Sequence, residues 1–110
     1  MGFAAAGLLR RMANYFPLDS IFRALGDPTR RLIVEYLCDG DLPVTRIAEP
    51  LPIAFSSVLK HVRVLEKCGL IRTHKSGQVR ICWLEPRALE LVEQWVRRQR
   101  YRCEARMRRT

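Results

Sequence analysis

The segment Ser56-Ser57-Val58-Leu59-Lys60-His61-Val62-Arg63 carries two hydroxyls, an ammonium, an imidazole and a guanidinium. Groups of this kind donate and accept hydrogen bonds at base edges and phosphates, where arginine, lysine and small hydroxyl side chains make most of the contacts. A second set, Lys75, Gln78 and Arg80, follows shortly after. Bond-breaking chemistry needs something different: a nucleophile, a base and a stabiliser of developing charge that converge, or a metal-bound water. The two histidines, His61 and His74, stand among scattered acids, with no glycine-rich phosphate loop and no Ser-His-Asp arrangement. These residues point to binding and exclude an enzyme. The four cysteines, Cys38, Cys68, Cys82 and Cys103, are widely separated and form no C-x-x-C pair of the zinc-holding or thiol-exchanging kind.

A chain of 110 residues, 48% apolar and 28% charged, suits one compact globular domain rather than two. No apolar run approaches the roughly 20 residues of a membrane span. The opening "MGFAAAGLLRRM" puts its arginines after a short apolar part, unlike a secretory leader, and Met12 offers a second possible start. A soluble cytoplasmic protein with reduced thiols is expected. Net charge is +9 and pI about 10.3, from 17 Arg and 3 Lys against 11 acidic residues. That excess favours a polyanionic partner, because each cation placed on a phosphate releases condensed counterions.

The elements that must hold these groups follow from periodicity and punctuation. Residues Phe3 to Phe16 suit an alanine-rich amphipathic helix ended by Pro17, and a second short helix follows from Asp19 or Ser20 to Gly26. Asp27 with Pro28 is a strong helix start, an N-cap followed by a proline at the first helical position. That helix is expected to bury Leu32, Ile33, Tyr36 and Leu37 and to close near Gly40. After the turn "DGDLP", Val44 to Glu49 form a short helix that Pro50 ends. "LPIA" then leads into a longer helix whose Val58, Val62 and Leu65 share one buried face, which makes a helix-turn-helix. Gly69 ends it, and two strands around a Ser76-Gly77 turn form a wing. Beyond Pro86, Arg87 to about Arg108 form one long helix with Leu89, Val92, Val96, Gln99, Cys103 and Met107 on a single stripe. A partner subunit is the expected cover for that stripe, giving a twofold dimer. The fold class is therefore mostly α with a β-hairpin wing: an accessory helix over 1–17, a winged helix-turn-helix over 18–86, and a dimerisation helix with a basic tail over 87–110.

With those elements in place, "LGDPTRRLIVEYL", "IAEPL", "VLKHVRVLEKCGLI" and the wing resemble the ArsR/SmtB family of bacterial winged-helix repressors, over about residues 20 to 100. The resemblance implies a homodimeric repressor that blocks its own or a neighbouring promoter, an inverted-repeat operator in double-stranded DNA, and release on a signal. It places Ser56, Ser57, Lys60, His61 and Arg63 at the major groove, with Lys60 on phosphate and the serines near base edges or backbone. Lys75, Gln78 and Arg80 fall to the minor groove or its flanking phosphates. For His61 the alternative is a place at the edge of the core. Two residues depart from the family pattern: Ala54 and Leu59 stand where serine is common. Phe55 and Leu59 lie on nearby surface, either to contact thymine methyl groups or to pack inside; exposed, they would suit a protein–protein module on the same fold.

Metal-sensing members use a Cys-x-Cys pair in the first helix of the helix-turn-helix or His and carboxylate pairs on the last helix. Here the first segment, "TRIAEPL", has no cysteine and the last helix has no histidine, so neither a metal nor any other cofactor is expected. Cys38 and Cys68 read as small buried hydrophobes. Cys82 and Cys103 are the candidate sensor thiols, either of which could meet its counterpart across a dimer and take a trivalent arsenical or form a reversible disulfide. The arginine-rich end from Arg97 to Thr110 complements its own helix dipole or adds a phosphate contact.

Overall fold

The computed structural model describes residues 2–14 and 16–109, and the side chains among them outside residues 3, 11–14 and 16. In chain order the elements are α1 (Phe3–Asn14), α2 (Phe16–Leu25), α3 (Pro28–Leu37), β1 (Leu42–Pro43), α4 (Val44–Ala48), α5 (Phe55–Lys67), β2 (Ile71–Ser76), β3 (Val79–Leu84) and α6 (Pro86–Arg109). The class is the expected one, mostly helical with a winged hairpin. The strands form one antiparallel sheet in the order β1-β3-β2.

The core forms where the apolar faces of α2 to α5 meet the inner face of the sheet. Ile21 and Ala24 come from α2, Ile33, Val34 and Leu37 from α3, Val44 and Ile47 from α4, and Val58, Val62 and Leu65 from α5. Leu70, Ile71 and Cys82 close it from below the wing, and Ala88 from the start of α6. Burying a Leu, Ile or Val side chain contributes about 1.5–3 kcal/mol, so this cluster is the main stabilising term of the reading unit. Leu32 is exposed and Val34 buried, contrary to the expected set. The inward face of α3 is 33/34/37, with Tyr36 at its border.

Three local expectations are corrected. Pro17 does not end the first helix; it lies in the first turn of α2, where a missing N–H leaves no bond unmade, and its carbonyl accepts from Ser20 Oγ at 3.0 Å. Tyr15, inside the expected Phe3–Phe16 helix, lies outside the described residues. The hairpin turn is Gly77-Gln78, one residue later than expected, because Ser76 still pairs with Val79. A two-residue turn with positive φ only at its first position is what glycine permits, and Gly77 has φ +63°. Finally, the "DGDLP" turn ends in a short strand: Leu42 and Pro43 pair with Cys82 and Ile81. Proline is tolerated there because β1 is an edge.

The start of α3 matches expectation in detail. Asp27 is its N-cap, Pro28 its first residue, and the Asp27 carboxylate accepts from the Arg30 backbone N–H at 2.9 Å. That bond, above all, holds the carboxyl below its usual value of 3.8; partial burial opposes the shift, and His61 and the Arg30 cation reinforce it. A depressed carboxylate stabilises the fold fully above its unfolded pKa and loses that contribution as pH falls through the lower native one. Asp27→Ala is therefore expected to cost about 1 kcal/mol at neutral pH. In denaturant unfolding followed by circular dichroism, its gap from the wild type should close as pH drops below the ordinary carboxylate range. A gap that widens on acidification contradicts the assignment.

Candidate nucleic-acid interface

The central element is α5. At about 3.6 residues per turn, Val58, Val62 and Leu65 fall on one side and Ser56, Lys60, Arg63 and Lys67 within about 60° of arc on the other. The first three are buried and the last four are exposed. The apolar side fixes the helix on α3 and α4, so the polar side has to face outward. Ser57 and His61 sit between the two faces and are half-buried. Ala54, the N-cap residue, has no side-chain oxygen and α5 begins without a side-chain cap bond.

A guanidinium locks the inner flank of α5 to the rest of the domain. Arg30 Nε donates to the Ala24 carbonyl at 2.7 Å and Nη2 to the Arg23 carbonyl at 3.2 Å, at the C-terminal end of α2. Its Nη1 lies 3.3 Å from His61 Nδ1 on α5. A guanidinium only donates, so Nδ1 is the acceptor there and a neutral ring carries its proton on Nε2. The Asp27 carboxylate stands 3.8 Å from the same nitrogen. Arg31 adds a 2.7 Å bond to the Leu25 carbonyl. Cations at a helix C-terminus satisfy its orphan carbonyls and oppose its dipole. The Asp-Pro-Thr-Arg-Arg and Lys-His motifs thus meet in space, and His61 occupies the core-edge position, turned toward Arg30. Sequence reasoning missed Arg30, although two arginines one turn past an N-cap were a signal for it.

On the wing, Lys75, Gln78 and Arg80 are exposed, with Gln78 in the turn. Lys75 and Arg80 are directly opposite each other across the two strands. Like charges so placed destabilise a hairpin unless an anion lies against them. Arg80 Nη1 donates to Thr73 Oγ1 at 2.7 Å, and Thr73 Oγ1 donates to Glu66 Oε2 at 2.6 Å, which ties the wing to α5. Between the wing tip and the leading end of α5 is a cleft of about 230 Å³ whose wall includes Phe55, Leu59, Lys75, Val79 and Arg80. Phe55 and Leu59, on the flank of α5 beside its outward stripe, therefore border one concave surface with the cationic wing residues.

The thiols do not join it. Cys82 is buried in the core, opposite Thr73 and Leu42 in the sheet. Burial first, and the nearby Glu66 carboxylate second, push its thiol up to about 11, against the pull of Arg80. Cys82, one of the two candidate sensor thiols, thus points inward from β3, toward the helices. Cys103 is exposed on α6 and Cys38 at the end of α3; Cys68 is half-buried, raised by burial, and its Sγ donates to the Leu65 carbonyl at 3.3 Å. Among the described residues no cluster of three His, Cys, Asp or Glu side chains is placed to hold a metal ion, and no helix is long and apolar enough to cross a membrane.

Comparison with known proteins agrees with this geometry. Residues 27–73 match the profile of bacterial regulatory proteins of the arsR family. The chain is 37% identical over 78 residues to the HTH-type transcriptional regulator Rv2034 of Mycobacterium tuberculosis, covering 71% of this chain and 73% of the relative. To the transcriptional repressor SdpR of Bacillus subtilis it is 36% identical over 61 residues, 56% of this chain and 68% of that one. The crystal structure of the ArsR family transcriptional regulator RHA00566 superposes with a TM-score of 0.78 at 42% identity, covering 80% of this chain and 97% of the other.

Thiol titration separates the cysteines. In native protein at neutral pH, Cys38 is expected to react promptly with an aromatic disulfide reagent and Cys82 only after denaturant is added. Peptide mapping that finds Cys82 labelled as fast as Cys38 contradicts the buried assignment.

Proposed function

The chain belongs to the arsR family of bacterial regulatory proteins and is a DNA-binding transcriptional regulator rather than an enzyme; from that premise we propose that it is a homodimeric repressor that sets α5 of each protomer into the major groove of one half of an inverted-repeat operator. The observation that carries this reading is the division of α5, with Val58, Val62 and Leu65 buried and Ser56, Lys60, Arg63 and Lys67 outward. A B-DNA major groove admits one helix, and the leading residues of such a helix reach base edges. Ser56 and Ser57 then approach bases or backbone, and Lys60 and Arg63 take phosphates. His61 acts by holding α5 to Arg30. Lys75, Gln78 and Arg80 reach the minor groove or the phosphates beside it, where an anion relieves the repulsion between Lys75 and Arg80.

Twofold assembly has its own support. The radius of gyration is 17.9 Å, against about 13 Å for a compact chain of this length. The excess comes from α6, 24 residues and about 36 Å long, of which only Ala88 is buried. Trp95 packs edge-on against Phe22 of α2, but Val96 and Tyr101 farther along are exposed, as are Leu8 and Leu9 of α1. Residues 18–86 then form the reading unit, and 1–17 with 87–110 the dimerisation part. Two copies about a twofold axis would present both α5 helices to one side of a duplex, one helical turn apart.

Fluorescence anisotropy on a duplex selected by the protein from a random pool tests this. The wild type is expected to bind as a dimer, with affinity falling steeply as salt rises. Lys60→Ala should weaken binding to all duplexes by roughly tenfold and lower the salt slope by about one. Sedimentation should give twice the 12.8 kDa chain mass. A strict monomer, or a selected pool with no repeated half-site, refutes the proposal.

A further inference from the structure

The polar stripe leaves one feature of the interface unexplained. Phe55, the first residue of α5, is 47% exposed, Ile53 just before it 39% and Val79 across the cleft 46%, an apolar cluster rimmed by Lys75 and Arg80. Leu59, one turn on, packs against the core. Phe55 and Leu59 both line the cleft whose far wall carries Lys75 and Arg80. An aromatic ring nearly half exposed beside Lys75 and Arg80 offers an apolar contact inside a cationic rim, which suits a partner that is both anionic and locally apolar.

Resting on the reading of α5 as the groove-entering helix, we infer that Phe55, backed by Leu59, determines specificity by packing on the 5-methyl group of a thymine in each half-site. The leading residues of a recognition helix are those that reach base edges. In the major groove the thymine methyl is the apolar feature among an array of donors and acceptors, and apolar side chains contact it. The cations at the rim of the cleft suit the phosphates on either side of such a base. A small effector fits this place less well: the cleft holds about 230 Å³, below the roughly 300–1,000 Å³ of ordinary ligand sites. A second copy of this chain fits worse, since it would bring another +9 charge against Lys75 and Arg80.

The test uses full-length protein and a duplex it selects from a random-sequence pool. The selected half-sites should share a thymine, and replacing that thymine by deoxyuridine, which removes only the methyl group, should weaken binding about fourfold per half-site. In Phe55→Ala the thymine and deoxyuridine duplexes should bind equally, while Lys60→Ala should weaken both and keep their ratio. Phe55→Leu, which retains an apolar tip, should keep part of the preference and guards against a misfolded alanine variant. Wild-type binding that is sequence-specific but indifferent to every methyl, or a methyl preference that survives in Phe55→Ala, overturns the inference and leaves the groove-entering helix intact. Loss of sequence-specific binding altogether overturns both.

Discussion

The guanidinium of Arg30 joins three helices at one point. It caps the last carbonyls of α2, follows the Asp27 cap at the start of α3, and reaches His61 on the flank of α5. Hydrogen bonds to a charged group contribute about 1.5–3 kcal/mol each where they are shielded from water, more than an ordinary neutral bond. A helix seated only on aliphatic side chains can slide or roll by a fraction of a turn. A forked donor between fixed carbonyls and a ring nitrogen removes that freedom. Orientation matters here because the outward stripe of α5 is useful only if it points away from the core within a narrow angle.

That constraint explains how a small domain presents charge without paying heavily in stability. Its core contains no buried polar or charged side chain among the described residues, and the ion pairs there are at the surface or at its edge. The cations of α5 and the wing stay exposed on the surface. The bonds from Arg80 to Thr73 to Glu66 hold the wing at a set distance from α5, so the cleft between them is a feature of the rigid unit. On the proposed reading, recognition and stability use different faces of the same helix.

Much of this was legible in residue order. Asp27-Pro28 marks a helix start by local chemistry alone, and the spacing of Val58, Val62 and Leu65 assigns the buried face of α5 without reference to anything distant. What escaped depended on contacts between remote segments. The approach of Arg30 to His61 spans 31 positions, and neither residue's neighbours predict it. Strand β1 is too short to show alternation, and its Pro43 argues against a strand unless its edge position is known. The burial of Cys82 follows from its pointing to the face of β3 that meets the helices, which is invisible until the sheet is placed against them. The turn shifted by one residue because Ser-Gly and Gly-Gln are both plausible pairs, and only the cross-strand register decides between them.

The central claim is that α5 meets DNA by its outward face while Arg30 and His61 keep its inner flank in place. Amide shift mapping by nuclear magnetic resonance during titration with a selected duplex tests it most directly. Perturbations should concentrate at residues 55–63 and 75–80, with the amides of the α3 core and the Arg30 side-chain signals nearly unmoved. Changes confined to α1 or α6, with α5 silent, would contradict it.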